Sequence, residues 1–240
     1  PYQLKEGIKG HQVVAFTLNN VGAAQAVVGG KYDASTKMFE FNMQQNGMFG
    51  VLGVNVAFKD LINVNWAVEG IEALAARGAI EGTGAGEFNP TSQVTRAEFL
   101  KTLMNSFDLL DETAKPSFSD VKEGTWYSTT IASAHKLGIV KGNADGSFGP
   151  NEPITREEMA VMIYRLAGNL NVTLPSEGEE VSAKFADLKN LSLESSAAIE
   201  AVRKGGLITG MPDGRFDPKG QTTRAQAVTV IYRLLTNLEK

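Results

Sequence analysis

Thr95-Arg96-Ala97-Glu98, Thr155-Arg156-Glu157-Glu158 and Thr223-Arg224-Ala225-Gln226 are one tetrapeptide written three times, and its reading decides the fold. In each copy a Thr stands where a helix N-cap belongs, and a Glu or Gln follows three residues later. That pairing predicts a capping box, in which hydroxyl and N3 side chain each satisfy a backbone N–H that a helix start leaves without a partner. Behind it, Phe99 and Leu103, Met159 and Ile163, or Val228, Ile231 and Leu235 recur at helical spacing and form one apolar stripe.

Upstream of each tetrapeptide the same landmarks return in the same order. The first copy carries Phe58-Lys-Asp60, Gly78-Ala-Ile-Glu-Gly82 and Glu87-Phe-Asn-Pro90. The second carries Phe118-Ser-Asp120, Gly138-Ile-Val-Lys-Gly142 and Ser147-Phe-Gly-Pro150. The third carries Phe185-Ala-Asp187, Gly206-Leu-Ile-Thr-Gly210 and Arg215-Phe-Asp-Pro218. From the opening Phe to the Arg is 38 residues in two copies and 39 in the third. The arginines lie 60 and then 68 residues apart, the extra length falling mostly in an acidic linker around Pro175-Ser-Glu-Gly-Glu-Glu180. Several motifs in constant order at near-constant spacing define an internal repeat.

Each copy reads as helix, long loop, helix. Ile71, Leu74 and Gly78, matched by Ile131, Ala134 and Gly138 and by Ile199, Val202 and Gly206, fall on one face of the first helix. The recurring Gly ends that helix in the left-handed region. The loop turns at Asp145-Gly146 and Asp213-Gly214, and its Phe-x-Pro pins it to the core. One such unit cannot bury its own apolar faces, whereas three packed together can.

These landmarks resemble the S-layer homology family, with its FxD start, GI-type loop entry, G-x-F-x-P loop and TRAE-like helix start. The resemblance covers roughly Phe58 to Lys240. It implies a mainly α fold: a three-fold pseudosymmetric spindle with a central three-helix bundle and grooves between adjacent repeats. It also implies non-catalytic binding of anionic, pyruvylated secondary cell-wall polysaccharide, and a secreted protein held at the bacterial cell wall or S-layer. The expected domains are a small β-rich segment at 1–56 and repeats at 57–106, 117–169 and 184–240.

Bulk composition agrees with a globular module. The chain has 240 residues, 42% of them hydrophobic and 21% charged, a net charge of −4 and no Lys/Arg run. A nucleic-acid binder normally shows a basic stripe, so that class is not expected. The absence of cysteine excludes disulfide frameworks and thiolate metal sites. No apolar stretch approaches the roughly 20 residues needed to span a bilayer, so membrane insertion is not expected. The chain opens on Pro1 rather than Met, as a processed or excised product would, so the lack of a leader says nothing about export.

Residues 1–56 read differently. His11–Leu18, Ala24–Val28 and Lys37–Met43 are strand-like, with turns at Gly29-Gly30 and Asp33–Thr36. The segment resembles the closing strands of the β-sandwich modules that precede such repeats in bacterial surface enzymes, which implies upstream domains as further partners. It is short for a complete sandwich.

The candidate site residues follow from the repeat. Arg96, Arg156 and Arg224 each put a cation in the first turn of a helix, against the macrodipole, at a cost of about 0.3–1 kcal/mol. A bound anion relieves that conflict, since guanidinium and helix N-terminus together suit a carboxylate. The resemblance supplies one in the pyruvyl ketal. The alternative is that each Arg pairs with Asp60, Asp120 or Asp187 of a neighbouring repeat and locks the bundle. Those three aspartates either accept sugar hydroxyls or cap helices. Gly82, Gly142 and Gly210 either admit a sugar to the backbone or serve turns of positive φ.

Trp66 and Trp126 occupy equivalent places, suited to covering a sugar face or to core packing. Glu194 stands where the third Trp belongs, and a Glu repels an anionic sugar. Unequal grooves are therefore expected, with the Trp66 and Trp126 grooves better and Arg224 less important than Arg156.

Other signals carry little. His11 and His135 are far apart, and His135 aligns with Ala75 and Arg203. Asn143–Ser147 lacks the ligand series of a calcium loop, and no metal or cofactor is expected. No dinucleotide, phosphate-loop or nucleophile-elbow motif appears. Glu98 and Glu158 are capping partners in separate repeats rather than a glycosidase pair. The remaining rival is a lattice module acting by protein–protein contact.

Overall fold

In the computed structural model, residues 2–18, 22–41, 47–172, 174 and 185–237 are described. The acidic linker at 175–180 and the end of the strand-like stretch at 42–43 fall outside them. The architecture is mainly α with a small N-terminal β segment. The strands are β1 (Val13–Leu18), β2 (Ala24–Ala26), β3 (Lys31–Asp33), β4 (Met38–Glu40) and β5 (Phe49–Gly53). The helices are α1 (Val68–Ala76), α2 (Arg96–Ser106), α3 (Ser128–Lys136), α4 (Arg156–Asn169), α5 (Leu193–Lys204) and α6 (Arg224–Asn237).

Each repeat contributes a shorter first helix and a longer second one. The second helices α2, α4 and α6 begin at the predicted capping boxes. Thr95 Oγ1 accepts from Glu98 N at 3.2 Å while Thr95 N donates to Glu98 Oε2 at 2.8 Å. Thr155 with Glu158 and Thr223 with Gln226 repeat the pattern. The first helices α1, α3 and α5 end at Gly78, Gly138 and Gly206, all at positive φ. There the N–H of Ala79, Ile139 and Leu207 reaches back to Leu74, Ala134 and Val202, giving three Schellman caps.

The stripe residues Phe99, Leu103, Met159, Ile163, Val228, Ile231 and Leu235 are all buried in one shared core. The loop phenylalanines Phe88, Phe148 and Phe216 are fully buried there too, each against the opening Phe of its own repeat, with ring centroids 5.4–5.7 Å apart. Burying one such ring contributes roughly 1.5–3 kcal/mol, which pins the Phe-x-Pro loop to the core.

The repeats are joined in a cycle. Val94 N donates to Thr222 O, Thr222 N to Ile154 O, and Ile154 N to Val94 O, at 3.0, 3.1 and 3.0 Å. One backbone bond thus runs from each repeat to another, and the ring closes. The first helices follow a matching order: α3 packs on α2, α5 on α4, and α1 on α6.

The β segment is docked on this assembly. β1 pairs antiparallel with β2 and β5, and β3 with β4. The sequence missed β3 and β5, which are short and lack clean alternation. Buried Glu72 of α1 accepts from Lys9 Nζ at 2.7 Å and sits 2.7 Å from His11 Nε2. Arg77 donates to the carbonyls of Val27, Gly29 and Gly30. Among the described residues no helix is long and apolar enough to cross a membrane.

Candidate functional site

The three arginines leave their own repeats. Arg96 Nε donates to Phe148 O at 3.0 Å, Arg156 Nε to Phe216 O at 2.7 Å, and Arg224 Nε to Phe88 O at 3.0 Å. Each guanidinium also lies over the ring of the same Phe, 4.6–4.8 Å from its centroid. The residues are only 5%, 8% and 9% exposed. Carbonyl oxygens and an aromatic face therefore relieve the conflict with the helix dipole that the sequence poses. Burial lowers the pKa of Arg156 and Arg224, partly offset by Asp217 and Asp187 for the former and by Glu98 and Asp60 for the latter.

Direct pairing of these arginines with Asp60, Asp120 or Asp187 is not what the structure contains, nor do those aspartates cap helices. Each carboxylate accepts two backbone N–H groups of its own Phe-x-Pro turn: Phe88 and Asn89, Phe148 and Gly149, Phe216 and Asp217. The middle residue of that turn has positive φ in all three copies, 56°, 73° and 58°. The carboxylate secures a conformation that Asn, Gly and Asp tolerate best. Desolvation pushes the Asp60 and Asp187 carboxyls up, but these N–H bonds outweigh it and hold both below the usual range.

The glycines have a shared structural cause that the sequence did not reveal. A Cβ on Gly82, Gly142 or Gly210 would come within 2.3–2.7 Å of the ring of Phe58, Phe118 or Phe185. Only Gly142 also needs positive φ. Close ring packing, not the turn, is common to all three.

Two grooves are lined by equivalent residues, and each draws on three repeats. The first is a cavity of about 220 Å³ bounded by Gly78–Glu81 and by Glu98, Lys101 and Asn105 of α2, with Trp126 from the second repeat and Arg224 from the third. The second, about 200 Å³, is bounded by Val140–Asn143 and by Glu158 and Arg165 of α4, with Arg96 from the first repeat and Ser195 from the third. Trp126 therefore shares a groove with Arg224, and Arg96 borders the groove beside Glu194. The expected ranking of Arg156 over Arg224 concerns binding; the structure puts Arg224 in a groove with Trp126 of the second repeat rather than with the residue of its own.

The tryptophans are surface residues, 57% and 53% exposed, rather than core. Lys101 Nζ lies 5.4 Å from the Trp126 ring centroid, so the first groove offers an aromatic face beside two cations. The sequence missed Lys101, Lys141 and Arg165: Lys141 fills a variable position of its loop motif, and Arg165 belongs to an Ile-Tyr-Arg-Leu stretch found in two copies, at 163–166 and 231–234. Glu158 does two jobs: it closes its capping box and forms an ion pair with Arg96 Nη1 at 2.5 Å. Gln226 removes that carboxylate in the third repeat; Arg156 Nη2 donates to Thr209 O at 2.9 Å, as Arg224 Nη2 donates to the equivalent Glu81 O at 3.1 Å.

The chain matches the S-layer homology domain over residues 57–100, 117–160 and 184–228. It is 38% identical over 208 residues to an amylopullulanase of Thermoanaerobacterium thermosulfurigenes, covering 87% of this chain and 11% of that protein. It is 39% identical over 186 residues to exoglucanase XynX of Acetivibrio thermocellus, covering 78% and 17%. It is 33% identical over 187 residues to the S-layer protein sap of Bacillus anthracis, covering 76% and 22%. The chain thus spans a small part of the length of each. S-layer homology domains are non-catalytic modules that anchor secreted surface proteins to the bacterial cell wall. With three matches that together span more than half of its length, the chain belongs to the S-layer homology family.

Proposed function

We propose that this chain holds a secreted protein on the cell wall by non-catalytic binding of an anionic, pyruvylated secondary cell-wall polysaccharide in its inter-repeat grooves. The observation that carries the proposal is the first groove, where half-exposed Trp126 lies beside Arg224 and Lys101. An aromatic face covers the apolar side of a sugar ring, and paired cations suit a ketal carboxylate. Trp66 heads α1, which packs on α6, and we assign it to the corresponding groove with Arg156.

In this reading the inner helices α2, α4 and α6 form the central bundle of a three-fold pseudosymmetric spindle, supported by the cyclic backbone bonds. The segments 57–106, 117–169 and 184–240 are its repeats, and 1–56 connects it to upstream domains. The arginines brace the repeats and present one edge to the sugar. Gly82, Gly142 and Gly210 bring backbone to the groove wall. The aspartates secure the loops and contact sugar least. No residue is assigned a catalytic role, and any polysaccharide turnover belongs to the upstream domains.

Calorimetric titration with purified wall polysaccharide, native against chemically depyruvylated, tests the proposal. Binding should need the ketal, weaken with salt through loss of a few sheltered contacts, and fall in a Trp66→Ala/Trp126→Ala variant. Equal binding without the ketal would sink it. Assembly into sheets in the absence of polymer would favour the lattice rival.

A further inference from the structure

The second groove differs from the first at Lys101, which Val161 replaces, and at three positions that face one another. Where the first has Glu81, Asn105 and Trp126, the second has Lys141, Arg165 and Glu194. Placed separately, Lys141 and Arg165, against the one cation lost at Val161, would make it the stronger anion site, and a Glu would weaken it. Placed together, they bond. Arg165 Nε and Nη2 donate to the two carboxylate oxygens of Glu194 at 2.7 and 2.8 Å, a bidentate fork. Lys141 Nζ donates to the same oxygens at 3.3–3.4 Å. Arg165 is further fixed by Nη1 donating to Ile139 O at 3.2 Å, and its side chain is 17% exposed against 38% for Glu194. The remaining cation at this groove, Arg96, is engaged by Glu158.

We propose that the second groove is self-liganded: the Glu194 carboxylate occupies the Arg165–Lys141 cation pair in place of a ligand carboxylate, so this groove refuses anionic sugars. The idea rests on the anchoring function above and adds which groove stands closed. The carboxylate is ionised at neutral pH, as any Glu is, and the Arg165 hydrogen bonds, which lower its pKa to about 2, keep it so well into acid. The Trp-to-Glu change thereby turns one of the repeated sites into a permanent inter-repeat clasp between α4 and α5. Adding a ligand there requires displacing a tethered carboxylate, whose effective concentration far exceeds that of a free sugar.

The test uses the intact chain and its isosteric variant Glu194→Gln, with Glu194→Trp as a second variant that restores the aromatic. The Arg165 Nε–H resonance is followed by NMR during titration with sodium pyruvate. The native signal should stay put, while in both variants it should shift saturably. A native signal that moves as far as the variants', or variants that stay as silent as native, would overturn the proposal. In parallel, calorimetry with a soluble pyruvylated amino-sugar should count one more site per chain in Glu194→Trp than in native protein. An unchanged count alongside sugar binding also overturns it. If no chain binds sugar at all, the anchoring function falls, and the pyruvate titration alone decides the self-liganding.

Discussion

Arg224 of the third repeat donates its Nε–H to the carbonyl of Phe88 in the first at 3.0 Å, with its guanidinium 4.6 Å from the centroid of the same residue's ring. Phe88 is gripped from its own repeat by Phe58 and by the Asp60 carboxylate on its N–H. The contact joins the two ends of the helical region. Arg96 and Arg156 make the equivalent contacts between the other pairs of repeats. A residue type at one repeated position therefore serves closure of the whole ring before it serves any ligand.

Replacing Arg224 by Ala should cost about 2–4 kcal/mol of stability, because it leaves the Phe88 and Glu81 carbonyls without a donor and strips the ring contact. Arg224→Lys should recover part of this, since an ammonium cannot serve both carbonyls in one plane. Urea unfolding with a common m-value checks both. A loss under about 0.5 kcal/mol for the Ala variant would show that the arginine is not a brace.

Gly142 and Gly146 both lie at positive φ, 74° and 81°, but a Cβ on Gly142 meets the Phe118 ring at 2.3 Å whereas one on Gly146 meets nothing. Gly146→Ala should cost about 1–2 kcal/mol for the left-handed conformation alone. Gly142→Ala should exceed it by about 1–3 kcal/mol of overpacking. Equal midpoints in thermal unfolding would contradict the close-packing account.

Trp126→Ala should leave stability within about 1 kcal/mol, since the side chain is half-exposed. Wall-polysaccharide affinity should fall by about tenfold, as expected from losing one aromatic contact near a cation. Circular dichroism melts and pull-down on isolated cell walls separate the two effects. A variant that unfolds early while binding normally when folded would return Trp126 to a structural role.

The Glu194 clasp predicts a defined pH dependence. Its folded-state pKa is depressed from the ordinary 4.5 to about 2, chiefly by the Arg165 hydrogen bonds. A depressed carboxylate contributes stability that is fully present above about pH 4.5 and lost as pH falls towards 2. Because the carboxylate is partly exposed, solvent screening limits that contribution to about 1 kcal/mol or less. Native protein and Glu194→Gln should differ most at neutral pH and converge near pH 2. A gap that widens on acidification would contradict the clasp.

What the sequence determined was local. Capping boxes at Thr95, Thr155 and Thr223, Schellman glycines at Gly78, Gly138 and Gly206, and the apolar stripes behind them all depend on groups within about seven residues, where chain geometry leaves few options. Repetition of those signals was enough to read three helical pairs and their family. What only the tertiary structure decided was partnership. The arginines reach carbonyls 52, 60 and 136 residues away, Trp126 shares a groove with an arginine of another repeat, and Glu194 meets Arg165 across two helices. Glu72, one more helix residue in sequence, becomes the buried acceptor on which the β segment docks. Such pairings are set by how whole helices and loops pack. Packing selects among side chains that local periodicity leaves equivalent.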